Sequence, residues 1–319
     1  MDELDKTLLL KFLKNCRASY RQLARELGVT TPTIKRRVDS LVEAGIIEAF
    51  TVDISQETLG VSWAYAEITT DLSEDRAKLI DEISNNKSTS ETFAVGSKKY
   101  ISFAEVSPDA AYDYGKYLRG LHGVSQVNLI QAQQIPTQQL SNRCKYSTRG
   151  KKVVFTAQQK NVLHHLVDDA RMSIQDLSDR TGYKPKRIRR ILRELQESEG
   201  VHFTIRFNPA VESVISFILK IGFDETQITP SEIATWLEKE FPQEYWMSFL
   251  LLNGPMMINY MTSDNLPKIE VLLRRMLEIP FVHDVETILI YHNQKPNGNG
   301  SDHVEQAVAA SAAAVPVTA

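Results

Sequence analysis

The 319-residue chain has little cysteine: Cys16 and Cys144 are its two, and they stand too far apart for a metal-ligand spacing. That rarity excludes a disulfide framework and leads us to expect free thiols in a reducing compartment. No stretch approaches 18 consecutive apolar residues, so no transmembrane helix is expected. The opening, MDELD, is acidic and runs directly into a helical pattern, unlike a secretory signal, and the cytoplasm is the expected compartment. The sequence places no Ser/His/Asp, Cys/His or paired-carboxylate set together, so no catalytic residue, metal ligand or cofactor is assigned and the chain is expected not to be an enzyme. The 7 histidines are scattered, and the adjacent His164 and His165 fit a helix surface better than a metal site. Charge of one sign is not in excess either. A net charge of -3 neither supports nor excludes a nucleic-acid partner, and the distribution must decide. With 42% apolar and 24% charged residues, the length predicts two to four domains with real cores.

The distribution is most informative between Arg17 and Gly45, RASYRQLARELGVTTPTIKRRVDSLVEAG. Leu23 and Leu27 share one helical face, and Gly28 suits the stop that follows. Thr31 is the expected N-cap of the next helix, with Pro32 at its first position. Ile34, Val38 and Leu41 then turn inward, leaving Thr33, Lys35, Arg36, Arg37 and Ser40 outward. A helix with three adjacent cations and short hydroxyls at its start fits a recognition helix in the major groove. An ordinary amphipathic surface helix would show the same pattern in isolation. Before this motif, LDKTLLLKFLKN predicts a helix with acids at its start and bases at its end, which complements the helix dipole. After it, IIEAFTVDIS predicts a strand.

Three helices and a strand make a winged helix-turn-helix. The segment resembles the DNA-binding half of the Lrp/AsnC family of transcription regulators, most specifically in Arg17-x-Ser19-Tyr20-x-x-Leu23-Ala24, Leu27-Gly28, Ile34-x-Arg36-Arg37-Val38 and Leu41-x-x-x-Gly45-Ile46-Ile47. Residues 62 to about 136 then read as βαββαβ, a ferredoxin-like sandwich. The resemblance implies that this domain dimerises and senses a small-molecule effector; Gly96, Lys98 and Tyr100 at its hairpin are candidate contacts, and a plain turn with solvated lysines is the alternative. The family's acidic hairpin turn is replaced here by Gly96-Ser97-Lys98-Lys99-Tyr100, so only Gly96 carries over as the turn residue.

The architecture then repeats. An offset of 154 positions aligns Arg17 with Arg171, Ser19 with Ser173, Leu23 with Leu177, Gly28 with Gly182, Ile34 with Ile188, Arg36 with Arg190 and Leu41 with Leu195. The second recognition helix, KPKRIRRILREL, offers Lys184, Lys186, Arg187, Arg189, Arg190 and Arg193, with a poorer N-cap because Lys184 stands before Pro185. A second βαββαβ pattern follows. Its hairpin strands around Trp246 to Met257 are more apolar than one exposed face requires, which points to an additional interface.

The expectation is therefore an α+β chain with two repeats. Residues 1–60 form the first head, 61–136 the first sandwich and 137–152 a basic linker. Residues 153–210 form the second head, 211–295 the second sandwich and 296–319 a disordered tail. The expected partner is double-stranded DNA, with no membrane, and the two units pair either as an intramolecular pseudo-dimer or as a homodimer. The rival function is a tetrapyrrole-handling decarboxylase of the sirohaem decarboxylase type, which resembles the same two-domain architecture; fold alone does not separate the two. His122, between helix and strand, is the kind of histidine such an enzyme could use.

Overall fold

A computed structural model describes residues 2–138, 152–207 and 215–294. Most of the basic linker, including Cys144, and the whole of the expected tail lie outside the described residues. The described chain divides into two compact units, one holding both heads and the other both sandwiches.

In the first head, α1 spans Glu3–Lys14, α2 Tyr20–Leu27, α3 Thr31–Glu43 and β1 Ile47–Ile54, followed by the single turn α4, Gln56–Leu59. Each start has its chemistry in the sequence. Asp2 and Asp5 form a reciprocal capping box at α1, and Ser19 caps α2 through the Gln22 N–H. Helix α3 is capped by Thr30, one residue earlier than expected, because the Thr30 hydroxyl accepts from the Thr33 N–H and leaves Thr31 as the first helical residue. Gly28 ends α2 with φ 66, a conformation that side chains with a Cβ resist. Leu8, Phe12, Leu23, Ile34, Val38 and Leu41 close the core.

The second head repeats this order with α7 at Ala157–Asp168, α8 at Ile174–Thr181, α9 at Pro185–Glu197 and β6 at Val201–Phe207. A Thr156–Gln159 capping box opens α7, and Gly182 closes α8 with φ 73. Lys184 makes no side-chain cap bond at α9, as its chemistry requires. Each head contributes a single strand, whose backbone groups need a partner. The other head supplies it: β1 and β6 pair antiparallel, with Phe50 opposite Ile205 and Val52 opposite Phe203.

The sandwich unit follows the ferredoxin-like order twice. In the first sandwich, β2 (Ser62–Thr70), β3 (Thr89–Ala94), β4 (Lys99–Val106) and β5 (Val124–Ile135) lie in the order β5-β2-β4-β3. Its helices α5 (Arg76–Ser84) and α6 (Ala111–Arg119) cover one face, and Ala66, Ile68, Leu79, Ile83, Tyr100 and Leu118 fill the layer between. In the second, β7 (Ile215–Phe223), β8 (Tyr245–Leu251), β9 (Met256–Ser263) and β10 (Val282–Leu289) lie in the order β10-β7-β9-β8 beneath α10 (Pro230–Glu240) and α11 (Leu266–Leu277).

The two sandwiches form one nine-stranded sheet through β5 and β8, and the faces of its halves turned away from the helices share one core. Tyr65, Phe93, Ile101, Phe103 and Ile130 from the first meet Ile218, Phe249, Leu251 and Ile258 from the second. This explains the apolar second hairpin. Met247, Phe249, Leu251 and Met256 serve this shared core, whereas Leu250, Met257 and Met261 serve the core under the helices. Period-2 alternation sends neighbours to opposite faces, so a strand buried on both must be apolar throughout. The sandwiches also exchange strand ends. Ala132–Ile135 of β5 pairs with Leu251–Ser248 of β8, and β11 (His292–Gln294) pairs with Ala94–Thr92 of β3. An ionic contact joins the two sandwiches: Lys220 Nζ lies 2.8 Å from Glu67 Oε1.

Candidate nucleic-acid interface

The two helices expected to read DNA, α3 and α9, each bury an aliphatic stripe and turn a polar face outward. Ile34, Val38 and Leu41 anchor α3; Ile188, Ile191, Leu192 and Leu195 anchor α9. On α3, Thr31, Lys35, Arg36 and Ser40 are exposed. Thr33 is half-buried, its hydroxyl 2.8 Å from that of Thr30, so it stabilises the helix start more than it presents a hydroxyl to a ligand.

Arg37 does not join the outward cations. It is half-buried, and its guanidinium lies 2.7 Å from Asp2 and 3.2 Å from Asp5, at the start of α1. Helical spacing alone places it outward, but the long side chain folds back on two carboxylates of its own head. The Asp5 N–H bond and the Arg37 guanidinium together hold the Asp2 carboxyl below the usual carboxylate range. A cleft of about 360 Å³ lined by Asp5, Arg36, Arg37, Ser40, Leu41 and Ile46 runs beside this cluster.

Helix α9 shows the same device at a different position. Arg187 is half-buried and donates to Gln158 Oε1, near the start of α7. Lys184, Lys186, Arg189, Arg190 and Arg193 are exposed, with Arg190 Nε 3.4 Å from Glu194 one turn on. The second head thus offers five exposed cations on its helix, against Lys35 and Arg36 on the first.

The two heads meet through contacts that sequence reasoning did not supply. Arg17 donates to the carbonyls of Ala170 and Met172, the neighbours of Arg171. Arg171 donates to the carbonyls of Cys16 and Ala18, the neighbours of Arg17. The backbone repeats the exchange, with Cys16 N–H to Phe203 O at 2.9 Å and Ala170 N–H to Phe50 O at 2.8 Å. So do two threonines, Thr204 Oγ1 to Leu13 O at 3.0 Å and Thr51 Oγ1 to Val167 O at 2.9 Å. The Arg171 guanidinium also lies over the rings of Phe12, Tyr20 and Phe50 at 5.5, 4.4 and 5.4 Å. Beside it, burial pushes the Cys16 thiol up to about 12, so this thiol is protonated and unreactive at neutral pH. The alignment of Arg17 with Arg171 in the repeat was the available signal; their reciprocity was not.

The candidate effector residues separate. Gly96 and Lys98 lie in the β3–β4 turn, where the Gly96 carbonyl accepts from Arg76 and the Lys98 carbonyl from the Thr70 N–H. Tyr100 is 1% exposed in the sandwich core, its hydroxyl donating to Glu74 at 3.0 Å. It is a packing residue rather than a surface contact. His122 is exposed, and hydrogen bonds from Ser73 hold the nearby Asp71 carboxyl below the usual carboxylate range. Among the described residues, no group of three His, Cys, Asp or Glu is placed to hold a metal ion, and no helix is long and apolar enough to cross a membrane.

Comparison with known proteins separates the heads from the whole chain. Residues 1–48 and 156–199 match a family described as winged helix-turn-helix DNA-binding. An uncharacterized HTH-type transcriptional regulator of Pyrococcus abyssi is 42% identical over 60 residues, 19% of this chain and 41% of the relative. The regulatory protein AsnC of Escherichia coli is 38% identical over 60 residues, 19% of this chain and 40% of that protein. The chain thus spans about two fifths of the length of these curated relatives. Across its full length the fold matches that of the sirohaem decarboxylase NirDL, with a TM-score of 0.60 at 10% identity, covering 97% of this chain and 99% of that one. The expectation that the chain is not an enzyme is therefore withdrawn: an enzyme has this whole-chain architecture, so the fold gives no ground for excluding catalysis.

Proposed function

We propose, from two helix-turn-helix heads of the Lrp/AsnC type carried in one chain, that the protein is a sequence-specific, double-stranded DNA-binding transcription regulator acting in the cytoplasm. The observation that supports it is that both heads match DNA-binding segments and both keep exposed cations on the same helix, Lys35 and Arg36 on α3 and Lys184, Lys186, Arg189, Arg190 and Arg193 on α9. A face that meets phosphates must present cations that its own fold leaves accessible, and Arg190 stays exposed although Glu194 lies 3.4 Å from it. Thr31 and Ser40 beside Lys35 and Arg36 suit base reading, whereas the denser, less hydroxylated face of α9 suits phosphate anchoring. A single chain with both heads acts as an intramolecular pseudo-dimer, because tethering raises the effective concentration of one unit at the other. A small-molecule effector, if one acts, is read at the turn carrying Gly96 and Lys98 rather than at Tyr100. Selection of bound fragments from a random duplex pool tests the reading: an enriched motif supports it, and no enrichment over scrambled duplex refutes it.

A second reading has its own observation. The whole-chain likeness to NirDL supports a decarboxylase acting on a tetrapyrrole such as sirohaem. Its test is optical: purified protein incubated with sirohaem develops a protein-bound Soret band and releases carbon dioxide if the reading holds, and neither if it fails.

A further inference from the structure

We propose that Arg17 and Arg171 are positioning residues that lock the two unlike heads at one spacing, so that one chain takes a non-palindromic duplex site with a single permitted separation between its two elements. The inference rests on the DNA-binding reading and deepens it.

Two observations carry it. First, the clasp is reciprocal. Each arginine enters the bend between the first two helices of the other head and donates to the carbonyls on either side of its counterpart. Those bends directly precede α2 and α8, and each is followed after a short turn by the recognition helix, so fixing the bends fixes the helices. The guanidiniums are close enough for Arg171 to depress the Arg17 pKa, after the larger effect of burial. Like charges so placed repel, and donor bonds to fixed carbonyls, the rings under Arg171 and the charge of Asp169 beside Arg17 oppose that repulsion. Geometry is therefore set by directed bonds on both sides of the pseudo-two-fold axis, in addition to the β1–β6 ladder.

Second, the helices so locked are not equivalent. At the 154-residue offset, Thr30 faces Lys184, Pro32 faces Lys186, Thr33 faces Arg187, Lys35 faces Arg189, Arg37 faces Ile191 and Asp39 faces Arg193. Arg36 and Arg190 alone keep the same residue among the outward cations. Identical heads on a two-fold axis impose a palindrome with a fixed half-site spacing. Unlike heads on the same frame keep the spacing and lose the palindrome.

The experiment measures affinity for a selected site, for versions with base pairs inserted between its two elements, and for palindromes made by inverting a copy of either element. Each inserted base pair turns the distal element by roughly 35° about the duplex axis, since a turn holds about 10 base pairs. For the native chain we expect two or three inserted base pairs to weaken binding at least about tenfold, and both palindromes to bind at least about tenfold more weakly than the asymmetric site. Arg171→Ala, checked for native circular dichroism, should shrink the penalty for a wrong spacing at least about threefold, the β1–β6 ladder keeping the rest, while the preference for each separate element survives. Arg171→Lys, which keeps the charge but not the fork of donors, should shrink it too. A native chain indifferent to spacing, a preference for either palindrome, or a folded Arg171→Ala with the native spacing profile would each overturn the proposal. If both variants lose native structure, the native chain's spacing and palindrome series decide. Failure of the native chain to enrich any duplex is the separate failure of the DNA-binding reading.

Discussion

Glu67 and Lys220 are 153 positions apart and occupy the same place in their strands, since β2 and β7 superpose under that offset end to end. In a dimer of identical units this position would face itself, carboxylate to carboxylate or ammonium to ammonium. Here the two repeats have diverged to opposite signs and the groups meet at 2.8 Å, with the Lys220 side chain 21% and the Glu67 side chain 33% exposed. Burial alone would raise the Glu67 carboxyl, but the hydrogen bond and charge of Lys220, with bonds from Tyr65 and Asn128, outweigh it and hold it below the ordinary value. Exposed pairs contribute about 0–1 kcal/mol, and breaking a fully buried pair costs about 3–5 kcal/mol. A pair of intermediate exposure should lose about 1–3 kcal/mol when Lys220→Glu sets two carboxylates face to face. At about 2–4 °C per kcal/mol for a unit of this size, the melting temperature should fall by about 2–12 °C. Glu67→Lys should cost a similar amount, and the double swap Glu67→Lys with Lys220→Glu should recover at least half of the summed loss. Scanning calorimetry with light scattering reads both stability and particle size. If the double swap is as unstable as the two single changes added together, the pair does not couple and the complementarity argument is wrong.

Acid should weaken the same contact. Because the folded pKa of Glu67 is depressed, its contribution is whole above about pH 4.3 and is lost as pH falls through the folded value, and Glu67→Gln should remove that part of the acid sensitivity. On DNA, affinity should fall at least about tenfold between 50 and 200 mM salt, and a flat response would show that the exposed cations meet no phosphates. Arg36→Ala should relax sequence preference, whereas Arg190→Ala with Arg193→Ala should weaken binding to all duplexes alike; equal loss of specificity in both refutes the division between heads. Arg37→Met should lower the melting temperature of the chain more than its duplex affinity, because Asp2 and Asp5 lose their partner; a selective loss of affinity would return Arg37 to the interface.

The fold class and the duplication were legible because both rest on local pattern. Gly28 and Gly182 mark the same stop, Ile34 and Ile188 the same buried stripe, and the unbroken apolar character of β8 and β9 announces strands with two covered faces. What escaped is contact between distant segments. Periodicity places Arg37 and Arg187 outward but is blind to a long side chain folding back onto another helix. The acids at the start of α1 read as complements to the helix dipole, and they are also the partners of Arg37. Tyr100 could have been found: it alternates in register with Ser102 and Ala104, both inside the sandwich, which marks it as a core position. The repeat marks Arg17 and Arg171 as equivalent but not as mutual partners, because their acceptors are carbonyls and every residue has one.

The pairing of β11 with β3 has a consequence in time. Strand β3 lies beside β4 on one side, and its other side waits for His292–Gln294. A ribosome adding about 5–20 residues per second needs roughly 10–40 s to make the roughly 200 residues that separate them. Throughout that interval the nascent first sandwich presents an unpaired strand edge beside the apolar face of Phe93, Ile101 and Phe103, the combination that recruits other chains. Translation arrested between residues 140 and 290 should therefore yield aggregating fragments, and the last strand to be made is the one that ends the exposure.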